Sequence, residues 1–336
     1  MSSARNKKCL PRVYLSRWFR PGNFDKLREF SDLLVHGRTS APSAAAYRRA
    51  MRGAVVAITM TEDLIDGAFM DANPSLRLAA NFGAGFDNID LTAATERGIL
   101  ATNTPGVVVG PTAELAMGLL FAVCRRIPEA DAYTRAGSWK GWTPYLLEGK
   151  SVAGGTLGII GLGGIGSALA RMASGFGINV CYWSKRRRTQ EEELLLGARY
   201  FSLGRLLAKS DFVSLHVALN EKTHHLIGEE ELARMKKGAI LINTARGAVV
   251  DERALVRALR SGHLGGAGLD VYEREPVQKS PLFRMNNVVL LPHIGTSTDK
   301  GVEDMAARVV ANVRAYLSGK RPRNLLNPEA WRERRR

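Results

Sequence analysis

One stretch constrains this chain more than any other: Thr156-Leu-Gly-Ile-Ile-Gly-Leu-Gly-Gly-Ile-Gly-Ser-Ala-Leu-Ala170. Gly161, Gly163 and Gly166 set the spacing Gly-x-Gly-x-x-Gly, with Gly164 and Ile165 between them. The spacing alone also fits an ordinary turn between strand and helix. Here an apolar, strand-like run precedes it and an Ala-rich, helix-like run follows, and that context selects a dinucleotide loop. Such glycines allow a tight turn and let a pyrophosphate reach the positive end of the helix.

The rest of the chain repeats this rhythm. Apolar, β-branched runs at 12–15, 32–35, 54–59, 77–81, 178–183, 212–217, 239–243, 266–269 and 288–291 read as strands. Helical patterns lie between them: 23–30, a segment capped by Ser43, 229–235, a segment capped by Asp251, and 301–317. Alternation of this kind predicts an α/β protein with two doubly wound halves. A single long helix is expected from Pro111 to about Ala136. It is apolar nearly all round, which points to burial on several sides and to a subunit interface. The aromatic run Ser138-Trp-Lys-Gly-Trp-Thr-Pro-Tyr145 then reads either as a loop crossing to a partner or as a surface loop anchored by Trp139 and Trp142.

Composition narrows the function. The 336 residues, 45% hydrophobic and 24% charged, suffice for two soluble domains. The net charge of +16 gathers in bursts: Arg5 to Lys8, Lys185 to Arg188, and Arg332 to Arg336. No helix-turn-helix, zinc-finger or RNA-binding pattern accompanies them, so no nucleic-acid partner is expected. Cys9, Cys124 and Cys181 are too scattered for a metal site or a disulfide framework, and the last two sit in apolar runs that suit a core. Neither a signal peptide nor a membrane span is visible, which predicts a cytoplasmic protein.

Polar residues follow the later strands, where an open parallel sheet places its ligand-binding groups. They are Thr244, Ala245 and Arg246 after 239–243, Asp270 and Glu275 after 266–269, and His293 and Gly295 after 288–291. A guanidinium clamps an anion, an imidazole moves a proton, and a carboxylate favours the charged imidazole. Asp270 could orient a nicotinamide amide. Taken singly, each also fits a structural role: a surface ion pair for Arg246, a solvated carboxylate for Glu275, a core imidazole for His293. After the second strand of the dinucleotide unit, Ser184-Lys-Arg-Arg-Arg188 stands where an NAD-preferring fold carries an acid for the ribose hydroxyl. The missing acid and the added cations point to NADP(H), with Ser184, Lys185, Arg186 and Arg187 as its contacts and NAD(H) as the alternative. The alternative for the run itself is a solvated stretch opening a helix. Earlier, Asn81-Phe-Gly-Ala-Gly-Phe-Asp-Asn-Ile-Asp90 offers backbone N–H groups for a ligand, or a tight turn and no more.

Together the runs 81–90, 161–166, 240–251, 267–276 and 292–295 resemble the D-isomer-specific 2-hydroxyacid dehydrogenases, over residues 55–326. The Trp139-x-Gly-Trp-x-Pro144 pattern, the basic run and Thr-Ala-Arg246 look most like the glyoxylate/hydroxypyruvate reductases. This resemblance implies two Rossmann-like domains and a homodimer formed through 111–145. A cofactor domain, 109–295, would be inserted into a discontinuous flavodoxin-like substrate domain, 1–108 with 296–336. It implies Arg246, Glu275 and His293 as the catalytic set. Thr112, the glycine loop, Thr223, Thr244, Ala245, Asp270 and Gly295 would contact the cofactor. Met60, Ala84 and Gly85 would bind the substrate with Arg246 and His293. Gly164 departs from the family where many members carry Arg. Ala84 counts against a phosphite substrate and Glu275 against formate, and no regulatory domain is expected after Asn327. The expected reaction is reduction of glyoxylate or hydroxypyruvate to the D-2-hydroxy acid. The alternatives are a related dehydrogenase of this kind, acting on lactate, phosphoglycerate or phosphite, and a non-enzymatic, corepressor-like dinucleotide sensor.

Overall fold

Runs rich in Val, Ile, Leu and Ala become strands, and the central ones are buried on both faces, as parallel strands covered by helices must be. The computed structural model describes residues 10–40 and 42–333. Arg5, Lys7, Lys8 and Cys9, and the last three arginines, lie outside the described residues. The chain divides into two compact units. One runs to Val108 and resumes at Thr298; the other is Val109–Ser297.

The first unit begins with β1 (Arg12–Leu15), β2 (Asp32–Val35), α1 (Ala44–Ala50), β3 (Ala54–Met60), α2 (Gly67–Asp71), β4 (Leu78–Phe82), α3 (Leu91–Glu96) and β5 (Leu100–Thr102). Ser43, Asp66 and Asp90 each cap a helix by accepting a backbone N–H three residues on. The segment expected as a helix at 23–30 is a tighter 3-10 turn, Asp25–Glu29. The sheet order is β2-β1-β3-β4-β5, all parallel, the flavodoxin-like arrangement.

The second unit opens with two helices where one was expected, α4 (Val109–Cys124) and α5 (Ile127–Arg135). Pro128 is the reason. A helix through it would need a hydrogen bond to the Cys124 carbonyl that proline cannot donate. That carbonyl accepts the Lys150 N–H instead, at 2.7 Å, and Arg126 turns left-handed at φ 51°. Then come β6 (Thr156–Ile160), α6 (Gly164–Gly175), β7 (Asn179–Trp183), α7 (Gln190–Leu196), β8 (Ala198–Tyr200), α8 (Leu203–Lys209) and β9 (Phe212–Leu215). After these follow α9 (Glu229–Arg234), β10 (Ala239–Asn243), α10 (Glu252–Arg260), β11 (Leu264–Leu269) and β12 (Val288–Leu290). The order is β12-β11-β10-β9-β6-β7-β8, again parallel, and it reverses between β6 and β9. That crevice is where a doubly wound sheet takes its ligand.

Helix α4 packs its Ala113, Ala116, Leu119 and Leu120 into the core of its own unit, beside β6, α6 and β10. Cys124 and Cys181 are buried, as their apolar neighbours suggested. Trp139, Trp142 and Tyr145 are exposed, so the two tryptophans do not anchor their loop within the chain. The chain returns to the first unit with α11 (Asp299–Leu317), capped by Thr298, and α12 (Pro328–Glu333). Among the described residues, no helix is long and apolar enough to cross a membrane.

Candidate active site

The glycine loop leaves β6 and enters α6. Gly161 sits at φ +101°, and a Cβ there would come within 2.6 Å of the His216 carbonyl. A Cβ on Gly166 would overlap the Gly161 carbonyl. Gly163 differs: nothing stands within 4 Å of where its Cβ would be, and it begins α6 without a side-chain cap. The first N–H groups of this 12-residue helix thus have no side-chain cap, as a helix end that takes an anion requires. These residues fit a dinucleotide pyrophosphate. A side chain at Gly164 would meet the Val109 methyl at 3.0 Å, so the loop leaves little room for the arginine common at that position.

The basic run after β7 splits in two. Ser184 Oγ accepts the Leu162 N–H at 2.7 Å and so fixes the glycine loop. Arg188 donates to the Leu162 carbonyl and pairs with Glu192, while Arg187 pairs with Glu193 at 2.8 Å. Glu192 belongs to the capping box that starts α7, so the helix itself recruits these two cations. Lys185 and Arg186 are exposed and make no hydrogen bond or ion pair among the described residues.

The polar ends of β10, β11 and β12 converge. His293 Nδ1 and Glu275 Oε2 are 2.6 Å apart, both half-buried. The hydrogen bond to Glu275 raises the His293 pKa above its ordinary value, outweighing burial and the Arg246 charge. For Glu275, burial pushes upward, but the His293 hydrogen bond and charge, the Tyr272 N–H and the Arg246 charge together hold it below the usual value. The pairing thus favours a carboxylate beside an imidazolium, with the other ring nitrogen left to face a reactant. Glu275 is fixed in turn, its Oε1 accepting the Tyr272 N–H at 2.9 Å. Tyr272 OH donates to the Leu291 carbonyl and ties the two segments together.

Asp270 holds a turn of its own chain. Its two oxygens accept the N–H groups of Ile294 and Gly295, each at 2.7 Å. It thus pins the turn in which His293 is left-handed, at φ 55°. Burial pushes the Asp270 carboxyl up, and the Ile294 N–H and the His293 charge pull it part of the way back. Gly295 lies against Thr112: a Cβ on it would be 3.7 Å from the threonine methyl. Thr244 has a buried hydroxyl with no hydrogen-bond partner, consistent with a place for a polar ligand. Thr223 spends its hydroxyl on its own turn, donating to the Ala218 carbonyl at 2.6 Å.

Two supporting residues carried no signal in the sequence reading. Asn243 accepts the Ala245 N–H and donates to the Arg246 carbonyl, which shapes the loop presenting Arg246. An Asn at a strand end that folds back on its own backbone is the pattern that could have shown this. Gly247 touches the Tyr272 backbone so closely that a Cβ would overlap its carbonyl. In the first unit, Met60 closes β3, and Ala84 and Gly85 follow β4.

The chain is similar to known proteins. Residues 117–295 match the family described as D-isomer specific 2-hydroxyacid dehydrogenase, NAD binding domain. A glyoxylate reductase of Thermococcus litoralis is 44% identical over 323 residues, covering 95% of this chain and 97% of that protein. A crystal structure of a protein from Thermus thermophilus superposes with a TM-score of 0.87 at 43% identity, covering 94% of this chain and 99% of that one. An NADPH-dependent glyoxylate/hydroxypyruvate reductase of Sinorhizobium meliloti, in complex with NADP and malonate, gives 0.82 at 33% identity, covering 95% and 97%.

Proposed function

The chain belongs to the D-isomer specific 2-hydroxyacid dehydrogenase family, and on that premise we propose that it reduces glyoxylate or hydroxypyruvate to the D-2-hydroxy acid, with NADPH preferred over NADH. The observation that carries this reading is the 2.6 Å pairing of Glu275 with His293, in a unit that also holds the dinucleotide loop.

The chain's own residues divide the work. Arg246 clamps the anionic substrate through its planar fork. His293, kept charged by Glu275, donates a proton from Nε2 to the oxygen of the keto group. In the reverse direction the same nitrogen takes that proton back. Asp270 holds the turn that aims the imidazole. In the first unit, the Ala84–Gly85 loop and Met60 are assigned to the substrate's carboxylate end. Gly161, Gly163, Gly166, Thr112, Thr244 and Gly295 would hold the dinucleotide. When bound, its reduced nicotinamide supplies the hydride that reaches the keto carbon.

Lys185 and Arg186 are the cations left for a 2′-phosphate, because Arg187 and Arg188 serve α7. The exposed Trp139, Trp142 and Tyr145 support a homodimer contact through 111–145. The enzyme's place in this reading is the cytoplasm. The test is a panel of small 2-keto acids offered to the purified protein with NADPH and with NADH. Loss of reduced-nicotinamide absorbance on glyoxylate or hydroxypyruvate, faster with NADPH, is expected. No loss on any keto acid would overturn the reading.

A further inference from the structure

Three successive carbonyls after β4 are each held by a buried donor. Gly83 O accepts the Thr104 N–H at 2.9 Å. Ala84 O accepts Asn103 Nδ2 at 2.7 Å, and Gly85 O accepts Asn81 Nδ2 at 2.8 Å. Asn81 and Asn103 are 0% and 7% exposed, so all three carbonyls turn toward the interior of their unit. In a trans peptide the N–H points opposite to the C=O. The N–H groups of Ala84, Gly85 and Phe86 are therefore turned outward, and none donates to an acceptor among the described residues.

We propose that Asn81 and Asn103 are positioning residues that set these three N–H groups into an anion nest for the substrate's carboxylate. The proposal rests on the keto-acid reading above. Consecutive backbone N–H groups facing one way make a concavity for an anion. What holds their direction is a neutral frame. Thr59 Oγ1 donates to Asn81 Oδ1 at 3.1 Å and fixes which end of that amide is the donor. Asn88 Nδ2 donates to the Met60 and Asp63 carbonyls and closes the frame on the β3 side. Asn312 Nδ2, on the buried face of α11, reaches the Asn103 carbonyl at 3.4 Å and steadies the second pin.

Asn103→Asp puts an acceptor where the Ala84 carbonyl needs a donor. Asn103→Ser keeps a shorter donor and serves if the first variant does not fold. The expected result is a KM for glyoxylate raised about tenfold by Asn103→Asp and less by Asn103→Ser, the size of effect a lost buried hydrogen bond brings. KM for NADPH should stay within about twofold, since no cofactor contact is touched. An equal rise in both constants, or no rise in the glyoxylate KM, would overturn the proposal. A readout without turnover uses the amide protons of Ala84, Gly85 and Phe86 in the wild type, titrated with oxalate. They should move downfield and saturate in wild type and more weakly in Asn103→Ser. Amides that stay put at saturating oxalate would sink the nest. If the wild type reduces no keto acid, the proposed reaction fails, and the oxalate titration still decides this inference.

Discussion

The two units have the same architecture, parallel strands with polar residues at their carboxyl ends, but different groups hold the loops that follow. In the first, neutral amides hold the loop after β4: Asn81, pinned by Thr59, with Asn88 and Asn103, beside a buried Arg17–Asp63 ion pair at the ends of β1 and β3. In the second the strand ends carry Arg246, Asp270, Glu275 and His293, and the charges of this group shift the protonation of Asp270, Glu275 and His293. A neutral frame holds an anion without changing with pH. A charged frame favours a bound proton on His293 and changes its strength as pH changes. The contrast teaches that a doubly wound sheet fixes where ligands are met, while the chemistry there comes from the side chains at its rim.

That contrast can be broken in order of size. The largest effect belongs to His293→Ala, which should cost about 10²- to 10⁴-fold in kcat with little change in dinucleotide affinity, read by steady-state rates and cofactor titration. A smaller loss would mean another group delivers the proton. Glu275→Gln comes next, at about 10- to 100-fold. It removes the hydrogen bond that raises the His293 pKa, while the Arg246 charge still lowers it. Since reduction needs the protonated ring, the rate falls as pH rises through the His293 pKa, and this limb should move to lower pH in the variant. A pH profile with an unmoved limb refutes the pairing as the tuner. The amide side, tested through Asn103→Asp, should shift KM by a factor that stays the same across that range.

Stability follows the same signs. The raised His293 pKa gives stabilisation that is complete below its ordinary value of 6.5 and lost as pH rises through the folded value. The lowered Glu275 pKa gives stabilisation present above its ordinary value of 4.5 and lost as pH falls through the folded value. Thermal melting across pH should therefore show the pair's contribution at its fullest between these limits, and Glu275→Gln should flatten it. The smallest effects concern the basic run. Arg186→Ala should lower the NADPH over NADH preference by about tenfold, the worth of a charge-assisted hydrogen bond. Arg187→Ala should change it less, because Arg187 is paired with Glu193. Equal effects of the two substitutions would place the phosphate elsewhere.

Much of this was readable from the residues, and the misses have physical causes. The glycine spacing between apolar runs marked the β6–α6 turn, because a close backbone approach leaves a compositional trace. Arg246, Glu275 and His293 were visible as charges following strands. The break between α4 and α5 was missed because apolar periodicity runs through it, although Pro128 marks the carbonyl that cannot be paired. The four cations after β7 looked alike in sequence. Their division depends on Glu192 and Glu193 folding back from α7, which only the tertiary structure shows. Asn81 and Asn103 carried no charge to draw notice, and their effect lies in which way a peptide plane faces.

Thr112, in the first helix of the second unit, lies against Gly295, close to that unit's last residue. A polypeptide that leaves at Val108 and resumes at Thr298 therefore meets an insertion whose two ends are side by side. Loop-closure entropy grows only with the logarithm of length, so such an insert burdens its host little more than a modest loop would. Residues 109–297 are in that sense a cassette, and a gene fusion that replaced them with a short Gly/Ser linker would leave the first unit's β-order unbroken.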